Sequence, residues 1–117
     1  RLLLKPSTYM NHSGKSVQAT IAYWGIAAQD IIVIHDDSDI ALGEYKIQSN
    51  RGSGGHHGVD SIMQVLGTRD FTRVRIGIRA ERFMGQKADQ FVLRKISSED
   101  AVILTSVYQL ILQELAL

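Results

Sequence analysis

The stretch IIVIHDD, residues 31–37, decides the fold of this chain. Its first four residues are β-branched and show no polar alternation, which is typical of a strand covered on both faces in a parallel sheet. We expect the strand to end in His35-Asp36-Asp37, so that carboxylates lie just past its carboxyl end. Functional side chains of α/β proteins collect at that edge of the sheet.

Helix and strand patterns alternate on both sides of this stretch. Upstream, the three leucines of residues 2–4 predict a short buried strand. A helix follows, whose expected cap is Asn11 or Ser13 and whose stop is Gly25. Its apolar residues, at helical spacing, are Val17, Ile21 and Trp24.

Downstream, residues 45–49 alternate weakly in polarity, and a glycine-rich segment spans residues 51–58. The apolar pattern after it predicts a short helix that begins near Val59 and stops at Gly67. Residues 73–78 alternate between apolar side chains and arginine or glycine, which predicts a strand with one wet or ligand-facing side.

The last part of the chain predicts a short edge element at residues 91–93 and a final helix opened by Ser97. The apolar stripe expected on that helix is Val102, Ile103, Val107, Leu110 and Ile111. Helices alternating with strands predict an α/β sandwich around a mixed, mostly parallel sheet. With no interdomain linker, we expect a single domain over residues 1–117.

Composition excludes several classes of protein. The 117 residues are 44% hydrophobic and 21% charged, which is ordinary for a globular domain. The absence of cysteine excludes disulfides, zinc–cysteine sites and a thiol nucleophile, and it fits a cytoplasmic protein. No apolar run reaches the ~20 residues of a membrane span. Because the chain starts inside an apolar pattern and stops inside a helical one, we expect it to be incomplete at both ends and its sheet to lack a leading strand.

The net charge of +1 conceals an uneven distribution. Residues 51–95 carry nine Lys/Arg against four Asp/Glu, a net +5, whereas residues 1–50 are at −1 and residues 96–117 at −3. A basic middle segment is expected of a surface that meets a polyanion. An ordinary solvated surface is the alternative.

Two segments place polar groups next to predicted helix starts. Residues 5–14, KPSTYMNHSG, join a strand to a helix, and Asn11 has the acceptor and donors to hold an amide or a ribose. Residues 52–58, GSGGHHG, form a turn that a ligand can approach closely, ahead of a helix N-terminus that favours anions. The alternatives are a simple helix cap at Asn11 and a flexible loop with incidental histidines.

The acids after the buried run are the third candidate site. Asp36, Asp37 and Asp39 are three acids in four residues, so they are candidates for binding Mg²⁺, orienting a histidine or capping a turn. No phosphate-binding loop accompanies them, which weighs against the metal. The vicinal His56 and His57 lack a third ligand at metal-binding spacing.

In order and spacing, these segments resemble the bacterial-type peptidyl-tRNA hydrolase family. That family shows K-P-x-T-Y/F-M-N-x-S-G, a strand ending H-D-x-x-D with a glycine four residues later, G-x-G-G-H-N-G before a helix, R-L/V-R-I-G-I, and F-V-L. The matching segments here are residues 5–14, residues 35–39 with Gly43, residues 52–58, residues 73–78 and residues 91–93.

The resemblance implies an activity. Such enzymes hydrolyse the ester between a peptide and the 3′ ribose of tRNA, which recycles tRNA from stalled translation. They have a mixed sheet flanked by helices, are usually monomeric and need no metal or other cofactor. A histidine acts as base on water, and an aspartate holds that histidine in its basic form.

The resemblance also implies residue roles. Asp36 matches the aspartate that orients the histidine, and Asn11 matches an asparagine that positions substrate or water. The residues that match the substrate and tRNA cleft are Tyr9, Met10, Asn11, His56, His57, Lys46 and Arg51. Lys46 in particular matches a basic residue that contacts tRNA phosphate.

The chain departs from the family pattern in three respects. None of its four histidines occupies the motif position of the catalytic base, so we expect the chain alone to be nearly inert. His57 stands where the family has a substrate-binding asparagine. Ser53 replaces a frequent histidine, and Gln48 replaces a second basic residue.

Two other functions stay open on the sequence. A non-catalytic RNA-binding protein on the same scaffold, like plant-organelle intron-splicing factors, fits His57 and the basic middle segment. A metal-dependent nuclease using Asp36, Asp37 and His56 predicts RNA cleavage that EDTA abolishes.

Overall fold

The computed structural model describes residues 1–91 and 95–116. These described residues form three α-helices and three strands. In chain order they are α1 (Ser13–Trp24), β1 (Ile32–Ala41), β2 (Tyr45–Ser49), α2 (His57–Leu66), β3 (Thr72–Arg79) and α3 (Ser98–Glu114). Short 3₁₀ turns cover Met10–His12, Ala28–Asp30, Glu81–Phe83 and Ala88–Gln90.

The strands form one sheet in the order β1-β3-β2. β1 and β3 are parallel, because the Thr72 N–H donates to the Ile31 carbonyl at one end and the Leu42 N–H to the Arg79 carbonyl at the other. Both strands therefore advance in the same direction. Their connection passes through α2, as expected for a parallel crossover.

β2 runs antiparallel to β3. The Gly77 N–H donates to the Glu44 carbonyl, while Ser49 and Thr72 share a hydroxyl hydrogen bond of 3.3 Å at the opposite end. A tight turn with Gly43 at φ 99° makes this reversal possible. The predicted α/β class with a mixed sheet is confirmed, with one parallel and one antiparallel pair among the described residues.

The chain divides into two compact units, which are residues 1–33 with 48–73 and residues 34–47 with 74–117. In the first, α1 and α2 pack around Val17, Ile62 and Phe71. Both predicted glycine stops are confirmed: Gly25 and Gly67 follow α1 and α2 in the left-handed conformation.

In the second unit α3 packs on the sheet. The buried cluster is Val74, Ile76, Leu104, Val107 and Ile111. Ser97 caps α3 as predicted, its side chain accepting the Asp100 N–H at 3.1 Å. The expected apolar stripe was partly wrong, since Val102, Ile103 and Leu110 are exposed. α3 is apolar around much of its circumference, so packing rather than pattern selects the buried face.

Two expectations for the N-terminal part were wrong. Residues 2–4 form no strand and are exposed, because none of the three described strands pairs with them. Neither Asn11 nor Ser13 caps α1: the N-cap is His12, without a side-chain bond. The Met10–His12 turn runs directly into the helix, so Ser13 Oγ instead donates to the Met10 carbonyl at 2.8 Å.

β1 also differs from its prediction. It continues through the acids to Ala41, because its pairing with β3 extends that far. It is not covered on both faces, since Ile32 is 44% exposed and Ile34 is 52% exposed. β1 is an outer strand of the described sheet, and its alternate residues face solvent.

β3 forms as expected but has no wet side. It is the middle strand, and Arg73 is only 3% exposed. Gly77 is required here because a Cβ would lie 2.0 Å from the Ala41 carbonyl oxygen. Of the expected edge element at residues 91–93, Phe91 is a buried turn residue, and the other two lie outside the described residues.

Within the part of the chain that the structure describes, none of the helices combines the length and apolar character needed to cross a bilayer.

Candidate functional site

The segment before α1 exposes three predicted site residues. Tyr9 is 84% exposed, Met10 is 56% exposed, and Asn11 is exposed beside it in the 3₁₀ turn. Ser13 Oγ binds the Met10 carbonyl and lies 3.8 Å from Met10 Sδ, which fastens the turn to the first residue of α1. A phenol, a thioether and an amide are therefore exposed on three consecutive residues.

The glycine-rich loop ends in two histidines with different positions. His56 is the N-cap of α2, where its Nδ1 accepts the Val59 N–H at 3.2 Å. His57 is the first residue of α2 and is exposed. His56 thus stabilises the helix start, and the imidazole of His57 faces outward next to the N-terminal amides.

Two close backbone approaches join these segments. A Cβ on Gly14 would lie 2.2 Å from the Ser61 carbonyl oxygen, and the Gly14 N–H donates to Ser61 Oγ at 2.8 Å. A Cβ on Gly58 would lie 2.5 Å from Met10 Sδ and 3.1 Å from His56 Cε1. The Met10–His12 turn therefore lies against the start of α2, which brings the segment of residues 5–14 against the end of the glycine-rich segment of residues 52–58.

Arg73 binds the backbone of the glycine-rich loop. Its Nη2 donates to the Gly52 carbonyl at 2.7 Å, so a buried cation holds the start of the glycine-rich loop. The sequence pattern did not identify this role, because the two residues are 21 positions apart. Arg51, next to this anchor, is exposed.

Asp36 lies in the second unit, within β1 rather than beyond its end. Its side chain is on the exposed, solvent-facing side of the strand. The neighbouring His35 places Nδ1 2.7 Å from the Asp36 carbonyl oxygen. The expectation that the strand ends in His35-Asp36-Asp37 was wrong, since β1 continues to Ala41 in its pairing with β3.

Asp37 has an internal partner. Its Oδ2 accepts Arg75 Nε at 2.8 Å, and its Oδ1 accepts the Asp39 N–H at 2.9 Å. Burial opposes ionisation and would raise the pKa of Asp37. The hydrogen bonds and the charges of Arg75 and His35 outweigh burial, so that pKa lies below its ordinary value of 3.8.

No group of three potential metal ligands forms among residues 1–91 and 95–116. With Asp37 bound to Arg75, the metal-dependent nuclease gains no support from the geometry of its predicted ligands.

The predicted basic surface is smaller than the charge count suggests. Four of its arginines, Arg73, Arg75, Arg79 and Arg82, are bound to carbonyls or carboxylates of the protein. Other cations of that segment, including Arg51, Arg69, Lys87 and Lys95, are exposed. Lys46 is exposed on β2. The residues on either side of it, Tyr45 and Ile47, are partly buried and pack against the core.

Comparisons with known proteins agree on one family. The family model described as peptidyl-tRNA hydrolase matches residues 1–117. A peptidyl-tRNA hydrolase of Lactobacillus gasseri is 50% identical over 78 residues, which cover 67% of this chain and 42% of that protein. One of Lawsonia intracellularis is 36% identical over 115 residues, covering 98% and 57%.

Solved structures give the same result. The crystal structure of peptidyl-tRNA hydrolase from Acinetobacter baumannii matches with a TM-score of 0.75 and 32% identity, covering 86% of this chain and 50% of that one. A complex of peptidyl-tRNA hydrolase with N-propanol matches equally well. The chain thus spans about half the length of the relatives it matches.

Proposed function

This chain belongs to the peptidyl-tRNA hydrolase family, and from that premise we propose that it forms part of an enzyme that hydrolyses the ester bond between peptide and tRNA. The contact between the Met10–His12 turn and the start of α2 carries the proposal. It brings Met10 close to Gly58 and His56, and Tyr9, Asn11 and His57 are exposed next to these residues in the chain, which supports one surface for a peptide-bearing 3′ end. The intact protein would return tRNA from stalled translation.

In the reaction, Asp36 would orient a histidine that takes a proton from water as the water attacks the ester carbonyl. A carboxylate bonded to one ring nitrogen leaves the other as the base and stabilises the imidazolium that forms. The proton then passes to the 3′ oxygen of the leaving ribose. None of the four histidines of this chain stands at the motif position of that base.

On the substrate side, Asn11 would hold the ester or the water through its amide. His57 stands in place of the family asparagine and can still donate one hydrogen bond. Tyr9 and Met10 would contact the peptide or the terminal base, with His56 close to them. Lys46 and Arg51, both exposed, would contact tRNA phosphates.

The expected state of the intact enzyme is a cytoplasmic monomer without a cofactor. The absence of cysteine and a tRNA substrate fit that compartment. Gel filtration with light scattering tests the monomer directly.

Hydrolysis of N-acetylated aminoacyl-tRNA tests the activity. We compare the 117-residue chain with a hybrid in which it replaces the matching residues of the Lawsonia intracellularis relative. The hybrid should hydrolyse the substrate, and the chain alone should be slower by roughly 10²–10⁴-fold, the contribution of a general base. Asp36→Asn in the hybrid should lower kcat by a similar factor, whereas Asp39→Asn on the same strand should not.

Two results would contradict the proposal. Fast hydrolysis by the chain alone would place the base within it. A folded hybrid that binds tRNA without hydrolysis would favour the RNA-binding alternative.

A further inference from the structure

A four-layer stack of side chains fastens the segment after β3. The Arg79 guanidinium lies 4.7 Å from the Phe91 ring centroid, and the Phe91 and Phe83 rings stack at 4.8 Å with planes 6° apart. Arg82 covers the other side of Phe83 at 4.5 Å. Two cations therefore close an aromatic pair from both sides.

The two ends of the stack have different partners. Arg79 Nε donates to the Ser38 carbonyl at 2.7 Å, and its Nη1 donates to the carbonyls of Phe83 and Gln86, each at 2.9 Å. The planar guanidinium group of Arg79 therefore links β1 to the segment after β3 through hydrogen bonds. Arg82 pairs instead with Asp100, near the start of α3.

The contact with Ser38 matters because of its place in β1. Ser38 is two residues beyond Asp36, and Asp37, between them, is bound by Arg75. The two residues that follow Asp36 are thus held by arginines of the neighbouring strand. Fixing these residues fixes the backbone direction from which the exposed Asp36 carboxylate projects.

We propose that Arg79 is a positioning residue for Asp36, acting through the Ser38 carbonyl. The inference rests on the proposed function, because it assumes that Asp36 orients the catalytic histidine. Arg79 gains this role by binding the β1 backbone as well as its own loop, so its loss affects β1 directly. Arg82 shares the stack but pairs with Asp100 at the start of α3, which makes it the matched control.

Nuclear magnetic resonance on the 117-residue chain gives the first test. In Arg79→Lys the charge remains but the planar fork is lost. We expect amide hydrogen exchange at residues 36–39 to accelerate about tenfold or more, since hydrogen bonds from a charged group are lost, and the Asp36 carboxyl carbon resonance to move. Arg82→Met should leave both readouts unchanged. If Arg79→Lys fails to fold, Arg79→Gln, which keeps an amide donor, replaces it.

Kinetics of the hybrid give the second test. A misplaced orienting carboxylate should lower kcat about 10- to 100-fold with little change in KM. A role in stability alone predicts lower urea resistance with kcat unchanged in the protein that stays folded, and that result would overturn the proposal. So would equal effects of the Arg79 and Arg82 variants. If the hybrid hydrolyses nothing, the proposed function fails while the exchange data still decide whether Arg79 holds β1.

Discussion

Adjacent acids of β1 have different environments. Successive side chains of a strand point to opposite faces, so Asp36 faces solvent while Asp37 lies against Arg75. The H-D-x-x-D pattern predicts that Asp36 is the aspartate that matches the family motif. The pattern could not show that the Asp37 carboxylate is bound to Arg75, because Arg75 comes 38 residues later in the chain.

The Asp37–Arg75 pair should make stability depend on acidity. The pKa of Asp37 is lower in the folded chain than the unfolded value near 4, so its contribution is complete above about pH 4 and is lost as the pH falls through the folded pKa. Asp37→Asn should lower the free energy of unfolding at pH 7 by about 1–3 kcal/mol, because the charge-assisted hydrogen bond between Asp37 and Arg75 is lost. Urea unfolding between pH 2 and 7 measures both effects.

Asp39→Asn is the matched control for that experiment. Asp39 is exposed on the same strand, and its backbone N–H, which the substitution leaves in place, donates to Asp37. Equal acid sensitivity in the wild type and in Asp37→Asn would show that another carboxylate is responsible.

At the scale of single elements, the start of α2 depends on a histidine cap. His56→Ala removes the acceptor for the Val59 N–H and should cost about 1 kcal/mol of stability. His56→Asn supplies a preferred cap and should retain most of it. Thermal unfolding of both variants measures the difference, and equal losses would mean that the ring acts by packing rather than by capping.

The approach of α1 to α2 depends on Gly14. Gly14→Ala would bring its Cβ to 2.2 Å from a backbone oxygen, so the helices must separate, at a cost of about 1–3 kcal/mol. Gly52→Ala is the control, since a Cβ there meets nothing within 4 Å, and it should change stability by less than about 0.5 kcal/mol. The chemical shifts of residues next to Tyr9 and of residues next to His57 should move in Gly14→Ala and stay unchanged in Gly52→Ala. Unchanged stability in that variant would show that the helices can adjust freely.

At the scale of the whole molecule, the number of Lys and Arg in residues 51–95 overstates the basic surface left for the proposed contact with tRNA. Four arginines of residues 51–95 hold the fold together, and cations such as Arg51 remain exposed. Counterion release depends on contacts with phosphate, not on composition.

The salt dependence of tRNA binding tests this distinction. Arg51→Gln should reduce the slope of log K against log salt by about 0.7–0.9, the value for one phosphate contact. Arg82→Gln should leave the slope unchanged, because Arg82 is paired with Asp100. Filter binding of deacylated tRNA over a range of salt concentrations measures both, and equal slopes in the two variants would exclude Arg51 as a phosphate contact.

The sequence by itself determined what depends on neighbouring residues. The glycine stops at Gly25 and Gly67, the Ser97 cap and the α/β class follow from local backbone preferences and side-chain periodicity. The family was also readable, since its motifs are short and lie in a fixed order.

Only the tertiary structure decided what depends on residues far apart in the chain. It extended β1 through its acids, buried Arg73, selected the face of α3 that packs, and brought the Met10–His12 turn to α2. In each case the outcome depends on a contact with a distant segment, which is a paired strand, a backbone carbonyl or a packed surface. The free energy of those contacts is absent from any local pattern, which is why the stretch at residues 31–37 predicted a strand but not where it ends.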